Sequence, residues 1–101
     1  KQIIMVKHIV SFRLSGTKEE RRCAAEKFKT ALMALPSQID VLENMEVGIN
    51  ENPAEDWDVV LTATVPTMAD VAVYAQHPAH VAAAAIIAPL KADRACVDYN
   101  V

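Results

Sequence analysis

Two histidines and a tyrosine in the C-terminal half of the chain are the residues best suited to acid–base chemistry. Two of the three histidines stand in the tetrapeptide His77-Pro78-Ala79-His80, and Tyr74 precedes them by one helical turn. A neutral imidazole can take up or release a proton near pH 7, which few other side chains can do. The spacing predicts a catalytic pair in which His80 acts as base beside a carbonyl and Tyr74 stabilises the enolate.

Pro78 predicts a helix boundary between the two histidines. Proline is favoured in the first turn of a helix and disfavours helix at the residue before it. His77 should therefore end one helix, and His80 should project from the first turn of the next. An architectural interpretation fits the same residues, with His77 capping the junction and His80 anchoring it through hydrogen bonds to the backbone.

Three residues elsewhere in the chain are candidates for substrate binding, together with His77. His8 shares a strand face with apolar residues that should point toward the helices, although a satisfied core histidine would follow the same pattern. Phe28 lies on the apolar stripe of the first predicted helix. Asp58 either pairs with His8 or begins a strand near solvent. The predicted cavity lies between sheet and helices and is lined by His8, Phe28, Tyr74 and His80.

The sequence contains no recognisable motif for a metal ion or an organic cofactor. Its only glycines, Gly16 and Gly48, do not form a phosphate-binding loop. Cys23 and Cys96 are far apart, and we interpret them as small apolar residues in a reduced compartment. The His77–His80 spacing straddles a proline and lacks the carboxylate of a helical zinc motif. We therefore predict no metal and no cofactor.

Composition narrows the class of protein. The 101 residues are enough for a single domain over 1–101, and 52% of them are hydrophobic, although many are alanines. A net charge of −3 argues against nucleic acid as a partner, because no basic face is available. No apolar run approaches the roughly 20 residues that span a bilayer, and residues 3–6 are too short for a signal peptide. We expect a soluble, cytoplasmic protein.

Hydrophobic periodicity, capping residues and prolines predict the strands and helices that would position these residues. Alternating or β-branched segments predict strands over 3–14, 41–49, 57–65 and 95–101. A capping-box pattern at Thr17 and Glu20 opens a helix that ends at Pro36, and a second helix over 67–88 is broken at His77-Pro78. The order βαββαβ predicts an α+β, ferredoxin-like fold with a four-stranded antiparallel sheet.

The uncovered face of such a sheet has a consequence for assembly. Helices on one side leave the other side bare, and that face carries Ile9. Because an exposed apolar surface is usually an interaction site, we predict a homodimer formed through this face of the sheet.

Four segments resemble one known family, and their order along the chain is the same. These are Met5-Val6-Lys7-His8-Ile9-Val10, Glu46-Val47-Gly48, the stretch from Tyr74 through His77-Pro78-Ala79-His80 to Val81, and Cys96-Val97-Asp98-Tyr99. Together they resemble the stress-responsive A/B barrel domain family, often abbreviated Dabb. The resemblance implies a ferredoxin-like subunit whose homodimer closes two sheets into a dimeric α+β barrel.

The resemblance also extends, more distantly, to a plant branch of polyketide cyclases that perform an aldol condensation. It implies that Tyr74 and His80 match the catalytic pair of that branch and that His8 matches its early-strand histidine. The chain departs from the branch at Asp58, where the cyclases have histidine, and at Phe28, where they have tyrosine. Because both changes alter the polarity of a pocket, the cyclase substrate is not carried over.

Three functions are compatible with these patterns. The first is a stress-responsive domain of unassigned activity that binds a small apolar or aromatic molecule as a homodimer. The second is a cofactor-free lyase or polyketide cyclase-like enzyme that uses Tyr74 and His80. The third, a cofactor-free monooxygenase or isomerase, rests on analogy of fold alone.

Overall fold

The structure is a computed structural model that describes residues 4–101. The strands are β1 (Val6–Leu14), β2 (Asn44–Ile49), β3 (Val59–Val65) and β4 (Lys91–Asn100). The helices are α1 (Lys18–Met33), α2 (Met68–Gln76) and α3 (Pro78–Ile87), and a short 3-10 helix covers Leu35–Ser37. Among these residues, no helix is both long and apolar enough to cross a membrane.

The four strands form one antiparallel sheet in the order β2-β3-β1-β4. Helix α1 packs against β2 and α3, and α2 packs against β3, so the helices cover one face of the sheet. This arrangement confirms the predicted ferredoxin-like fold. It places β1 in the interior of the sheet and β4 at one edge.

Side-chain capping sets the helix boundaries that the sequence predicted. Thr17 accepts a hydrogen bond from the backbone N–H of Glu20, whose carboxylate accepts one in return. Thr67 and Asp70 form the same reciprocal pair at the start of α2. The break at His77 is also confirmed, since this residue ends α2 and begins α3 in an extended conformation.

The core lies between the helices and the covered face of the sheet. Alternate residues of β1 are buried, and the others are partly exposed on the opposite face. Phe12 packs edge-on against Phe28 of α1, with ring centroids 5.6 Å apart. The largest fully buried side chains are Tyr74, Phe28, Leu32, Leu35, Ile39, Ile87, Val10 and Val65.

Several predicted boundaries were wrong by a few residues. β2 begins at Asn44 rather than at 41, because a 3-10 helix and a turn follow α1. β3 begins at Val59 rather than at 57. β4 begins at Lys91 rather than at 95, because its first residues pair with the end of β1 without an apolar pattern to mark them. β1 begins at Val6; the predicted start at residue 3 lies outside the described residues.

The uncovered face of the sheet is less apolar than the sequence suggested. Its apolar side chains include Ile9 of β1, Val60 of β3, and Ala95, Val97 and Tyr99 of β4. Threonines and charged residues surround them. All ten residues of β4 are exposed, because no helix covers that edge of the sheet.

Candidate functional site

The α2–α3 junction brings the two predicted catalytic side chains together. Tyr74 lies in the last turns of α2 and His80 in the first turn of α3, and their ring centroids are 4.6 Å apart. The bend at Pro78 brings the two rings into contact rather than onto opposite sides, and the Tyr74 ring also packs against His8 of β1. Tyr74 is completely buried, whereas His80 is partly exposed. The pair therefore lies at the boundary between core and solvent.

A backbone hydrogen bond fixes the orientation of His80. Its Nδ1 lies 2.9 Å from the carbonyl oxygen of Ala75, which can only accept, so Nδ1 donates and Nε2 keeps its lone pair. Burial, with smaller contributions from the charges of His8 and Arg94, lowers the pKa of His80 despite the opposing effect of this hydrogen bond. The imidazole is consequently a neutral acceptor near pH 7.

The hydroxyl of Tyr74 has no hydrogen-bond partner among the described residues, although it is buried. Burial raises the pKa of this phenol well above its ordinary value of 10, so that it stays protonated. A buried polar group without a partner costs about 1–3 kcal/mol and is rare in proteins. The donor is therefore available to a molecule that enters the site.

His8 extends this group of polar side chains onto the sheet. Its ring packs edge-on against Tyr74 with centroids 5.8 Å apart, and its Nδ1 lies 2.5 Å from Oδ1 of Asp98 on β4. The sulfur of Cys96 lies 3.5 Å from the same nitrogen. Burial and the carboxylate of Asp98 raise the pKa of the Cys96 thiol, and Arg94 opposes that shift.

Sequence reasoning missed the contributions of β4 to this region. Asp98 and Cys96 pair with His8 and Val10 in the β1–β4 register, so they lie on the helix side of the sheet. A signal was present in the alternation of Arg94, Cys96 and Asp98, which places them on one face of a strand. The strand assignment alone did not show that β4 is the edge strand beside β1, where these side chains stay exposed although they lie on the helix side.

The other three candidate residues lie away from the Tyr74–His80 pair or serve its scaffold. Phe28 is buried against Phe12 in the core. Asp58 precedes β3, accepts hydrogen bonds from the Leu14 N–H and from Arg21, and is not the carboxylate beside His8. The Nδ1 of His77 accepts a hydrogen bond from the N–H of Ala79 at 3.0 Å and so caps α3.

Two depressions on the surface lie away from the Tyr74–His80 pair. A crevice of about 610 Å³ lies between the end of β1, the start of α1 and the β2–β3 loop. A groove of about 490 Å³ runs between α1 and the end of α3, and it includes Cys23. Neither is lined by Tyr74 or His80. The rings of Tyr74 and His80 are in contact, with their centroids 4.6 Å apart.

The fold and the position of these side chains define a ferredoxin-like α+β domain with a polar cluster on the helix side of the sheet. The profile of the Stress responsive A/B Barrel Domain family matches residues 6–101. The chain therefore belongs to this family, which confirms the resemblance drawn from its motifs. No curated protein matches the chain.

Solved structures with similar folds include two described as dimeric proteins of unknown function. One, from Bacteroides fragilis NCTC 9343, is 46% identical over 96% of both chains, with a TM-score of 0.93. The other, from Thermobifida fusca, is 33% identical over 99% of this chain and 93% of its own, with a TM-score of 0.80. The hydroxynitrile lyase of Passiflora edulis shares only 15% identity, over 99% and 95% of the chains, with a TM-score of 0.76, and so shows the fold alone.

Proposed function

We propose that this stress-responsive A/B barrel domain is a homodimer that binds a small apolar or aromatic molecule carrying an oxygen acceptor. The observation that carries the proposal is the buried hydroxyl of Tyr74, which has no partner among the described residues. A carbonyl or oxyanion of the ligand would satisfy this donor. The ligand would enter beside His80, where the cluster is partly open to solvent.

The neighbouring side chains support the same ligand chemistry. Tyr74 offers a donor, and the free Nε2 of His80 offers an acceptor at the adjacent ring. His8 adds a polar edge on the sheet side, while most of the surrounding core is apolar. An apolar body with one polar group matches this combination, since small-molecule sites are mostly apolar with a few oriented polar groups.

A titration with acetophenone, an aromatic ketone, tests the binding proposal. We expect NMR signals of Tyr74 and His80 to shift on addition of the ketone. The Tyr74→Phe variant should bind roughly 3- to 10-fold more weakly, which is the effect of one hydrogen bond. Tyr99→Phe is the matched control, because Tyr99 lies on the opposite face of the sheet, at the proposed dimer interface. This variant should bind as the wild type does, and sedimentation should show that it is still a dimer. Equal affinity in the wild type and the Tyr74→Phe variant would contradict the proposal.

A second candidate function, cofactor-free acid–base catalysis of the lyase or cyclase type, is favoured by the orientation of His80. Its Nδ1 donates a hydrogen bond to the Ala75 carbonyl, which leaves Nε2 as the base. Nε2 can then remove a proton next to a carbonyl of the substrate while the Tyr74 hydroxyl donates to that carbonyl oxygen. The same fold is that of the Passiflora hydroxynitrile lyase. This likeness is compatible with lyase chemistry.

Exchange of the methyl protons of acetophenone with deuterated solvent tests this second function. The wild type should accelerate exchange, because removal of a methyl proton gives the enolate that takes up deuterium. His80→Gln should lose the acceleration while still binding the ketone. An exchange rate equal to that of buffer would exclude catalysis on this probe and leave the binding function standing.

The homodimer is proposed to form through the uncovered sheet face. Ile9 lies near the middle of this face, paired with Thr62 of β3 and Val97 of β4. Val97 is 63% exposed and Tyr99 42% exposed in the isolated chain. Burial of these side chains against a second copy would remove apolar surface from water, at roughly 25 cal/mol per Å².

Sedimentation analysis of Ile9→Asp tests the interface. A carboxylate at this position would be buried without a partner, so the variant should dissociate at concentrations where the wild type is a dimer. Val81→Asp, on the exposed surface of α3, makes the same chemical change and should leave the dimer intact. A dimer of unchanged stability in Ile9→Asp would refute this interface.

A further inference from the structure

Three different metal-ligating side chains converge on one point at the edge of the sheet. The Nδ1 of His8, the sulfur of Cys96 and a carboxylate oxygen of Asp98 all lie within 4.8 Å of one another. His8 comes from β1, and the other two come from β4, whose pairing with β1 sets their positions. We propose that this triad, named here the His8–Cys96–Asp98 triad, binds a borderline divalent cation, of which Zn²⁺ is the best match.

The distances between the ligand atoms fit a tetrahedral site once the Asp98 carboxylate rotates away from His8. Zinc bonds of about 2.0–2.3 Å to nitrogen, oxygen and sulfur place tetrahedral ligand atoms roughly 3.4–3.6 Å apart. The sulfur of Cys96 lies 3.5 Å from His8 Nδ1 and 3.7 Å from Asp98 Oδ1. Only the His8–Asp98 separation, 2.5 Å, is shorter. A rotation of the Asp98 carboxylate would open it, because this side chain is partly exposed.

Two protons of the triad must move before a cation can bind. The Nδ1 proton that His8 shares with Asp98 must move to Nε2, so that the Nδ1 lone pair can bind the metal. Cys96 loses its thiol proton to solvent, since only the thiolate is a ligand. Thiolate and carboxylate together then carry two negative charges, which one divalent cation neutralises.

The mixed nitrogen, sulfur and oxygen set selects the class of metal. Imidazole and thiolate favour zinc and similar transition metals over magnesium or calcium, which prefer oxygen ligands alone. Three protein ligands with one side open to solvent leave a fourth position for water. Cys96 is exposed, so the cation has a path to the triad.

The sequence-based prediction of no metal did not consider this triad. That prediction rested on the spacing of His77 and His80 and on the separation of the two cysteines along the chain. The β1–β4 register joins residues 88 and 90 positions apart. Local spacing cannot show such a site.

Arg94 is the charge that competes with a cation at the triad. It lies two residues before Cys96 on the same face of β4, so its positive charge repels a cation bound there. The Tyr74 ring packs against His8 from the helix side, with ring centroids 5.8 Å apart, and its phenol is uncharged near pH 7. Replacing Arg94 with glutamine should therefore strengthen metal binding.

Cobalt substitution provides the first test. The metal-free, reduced wild-type protein should bind one Co²⁺ per chain with a thiolate-to-cobalt charge-transfer band and the intense visible bands of tetrahedral coordination. Zn²⁺ should displace the cobalt and remove both signals. Failure of the wild-type protein to give the charge-transfer band at stoichiometric Co²⁺ would overturn the proposal.

Matched variants provide the second test, with Zn²⁺ affinity measured against a chromophoric chelator. Cys96→Ser and Asp98→Asn should weaken binding by more than the roughly 10- to 100-fold that loss of an outer hydrogen-bond partner produces. Cys23→Ser, which removes the other exposed cysteine, should have no effect. Equal loss of affinity in Cys23→Ser and Cys96→Ser would overturn the proposal, as would unchanged affinity in Cys96→Ser. Both cysteines are exposed, so these variants should fold.

Discussion

Two polar regions of this molecule differ in how completely their hydrogen bonds are formed. At the end of β1, Asp58 accepts from the Leu14 N–H at 2.7 Å and from Arg21 at 3.2 Å, and Arg21 also donates to the Gly16 carbonyl. At the α2–α3 junction, the Tyr74 hydroxyl is buried with no partner among the described residues. The first region borders the 610 Å³ crevice, whereas Tyr74 and His80 do not line it.

The large surface crevice and the unsatisfied hydrogen-bond donor therefore occur in different parts of the molecule. The crevice is lined by several positively charged side chains, but two of its arginines already form ion pairs. Arg22 pairs with Glu51 at 2.8 Å, and Arg13 pairs with Asp93. The junction is compact, yet it holds a donor whose desolvation is not compensated. Asp58 therefore has a structural role, whereas the Tyr74 region is the proposed ligand site. Removing the polar group should accordingly change stability in opposite directions in the two regions.

The largest expected effect is in the Asp58 region. Asp58→Ala should lower the free energy of unfolding by about 2 kcal/mol, because the N–H of buried Leu14 and the guanidinium of Arg21 both lose their acceptor. Denaturant unfolding measures the change. Asp56→Ala, an exposed neighbour in the same crevice, should stay within about 0.5 kcal/mol of the wild type. Equal stability of the two variants would remove the structural role of Asp58.

The opposite sign is expected at Tyr74. Tyr74→Phe should raise the free energy of unfolding of the ligand-free protein by about 1 kcal/mol. It keeps the ring and deletes a buried hydroxyl that has no partner in the part of the chain that the structure describes. Tyr74→Leu is the control for the ring itself and should be destabilising, since it leaves a cavity in the core. Destabilisation by Tyr74→Phe would mean that the hydroxyl has a structural partner after all.

A smaller effect on stability is expected at His77, which caps α3 at the junction and is not part of the Tyr74–His80 pair. His77→Ala removes the Nδ1 that caps α3, so it should lower stability by about 0.5–1 kcal/mol. Acetophenone binding by the folded variant should change little. Gln76→Ala, the exposed neighbour at the end of α2, is the control and should leave thermal unfolding unchanged. If His77→Ala abolished binding with no loss of stability, the residue would belong to the site.

The smallest expected effect is the pH dependence that His80 contributes. Because burial lowers the pKa of His80 below its ordinary value of 6.5, the unfolded chain takes up this proton first as the pH falls. The contribution of His80 to stability is therefore complete above about pH 6.5 and is lost as the pH falls toward the lowered value. His80→Gln should reduce this slope in unfolding curves measured across the window. An unchanged slope would show that His80 is not buried as described.

Local sequence signals predicted most of the scaffold and part of the site. Thr17 with Glu20, Thr67 with Asp70, and Pro78 specify their helix boundaries within a few residues, so capping and proline geometry can be interpreted without a structure. The short separation between Tyr74 and His80 made their contact predictable for the same reason.

Long-range pairing accounts for what the sequence did not show. Strand alternation allowed Asp58 to pair with His8. In the structure, Asp58 instead accepts hydrogen bonds from Arg21 and the Leu14 N–H, and Asp98 is the carboxylate that contacts His8. Nothing in the local pattern distinguishes these carboxylates, because each lies on or beside a strand. The choice depends on strand order and register.

The sequence by itself determined the element order, the buried face of β1 and the bend that brings Tyr74 and His80 together. These features depend on interactions between residues a few positions apart and on the burial of apolar side chains. Only the tertiary structure decided which carboxylate reaches His8 and that Cys96 joins them. It also decided that the Tyr74 hydroxyl has no partner among residues 4–101. The reason is physical: hydrogen-bond satisfaction in a core depends on side chains from distant segments, and their positions are fixed only once the sheet has formed.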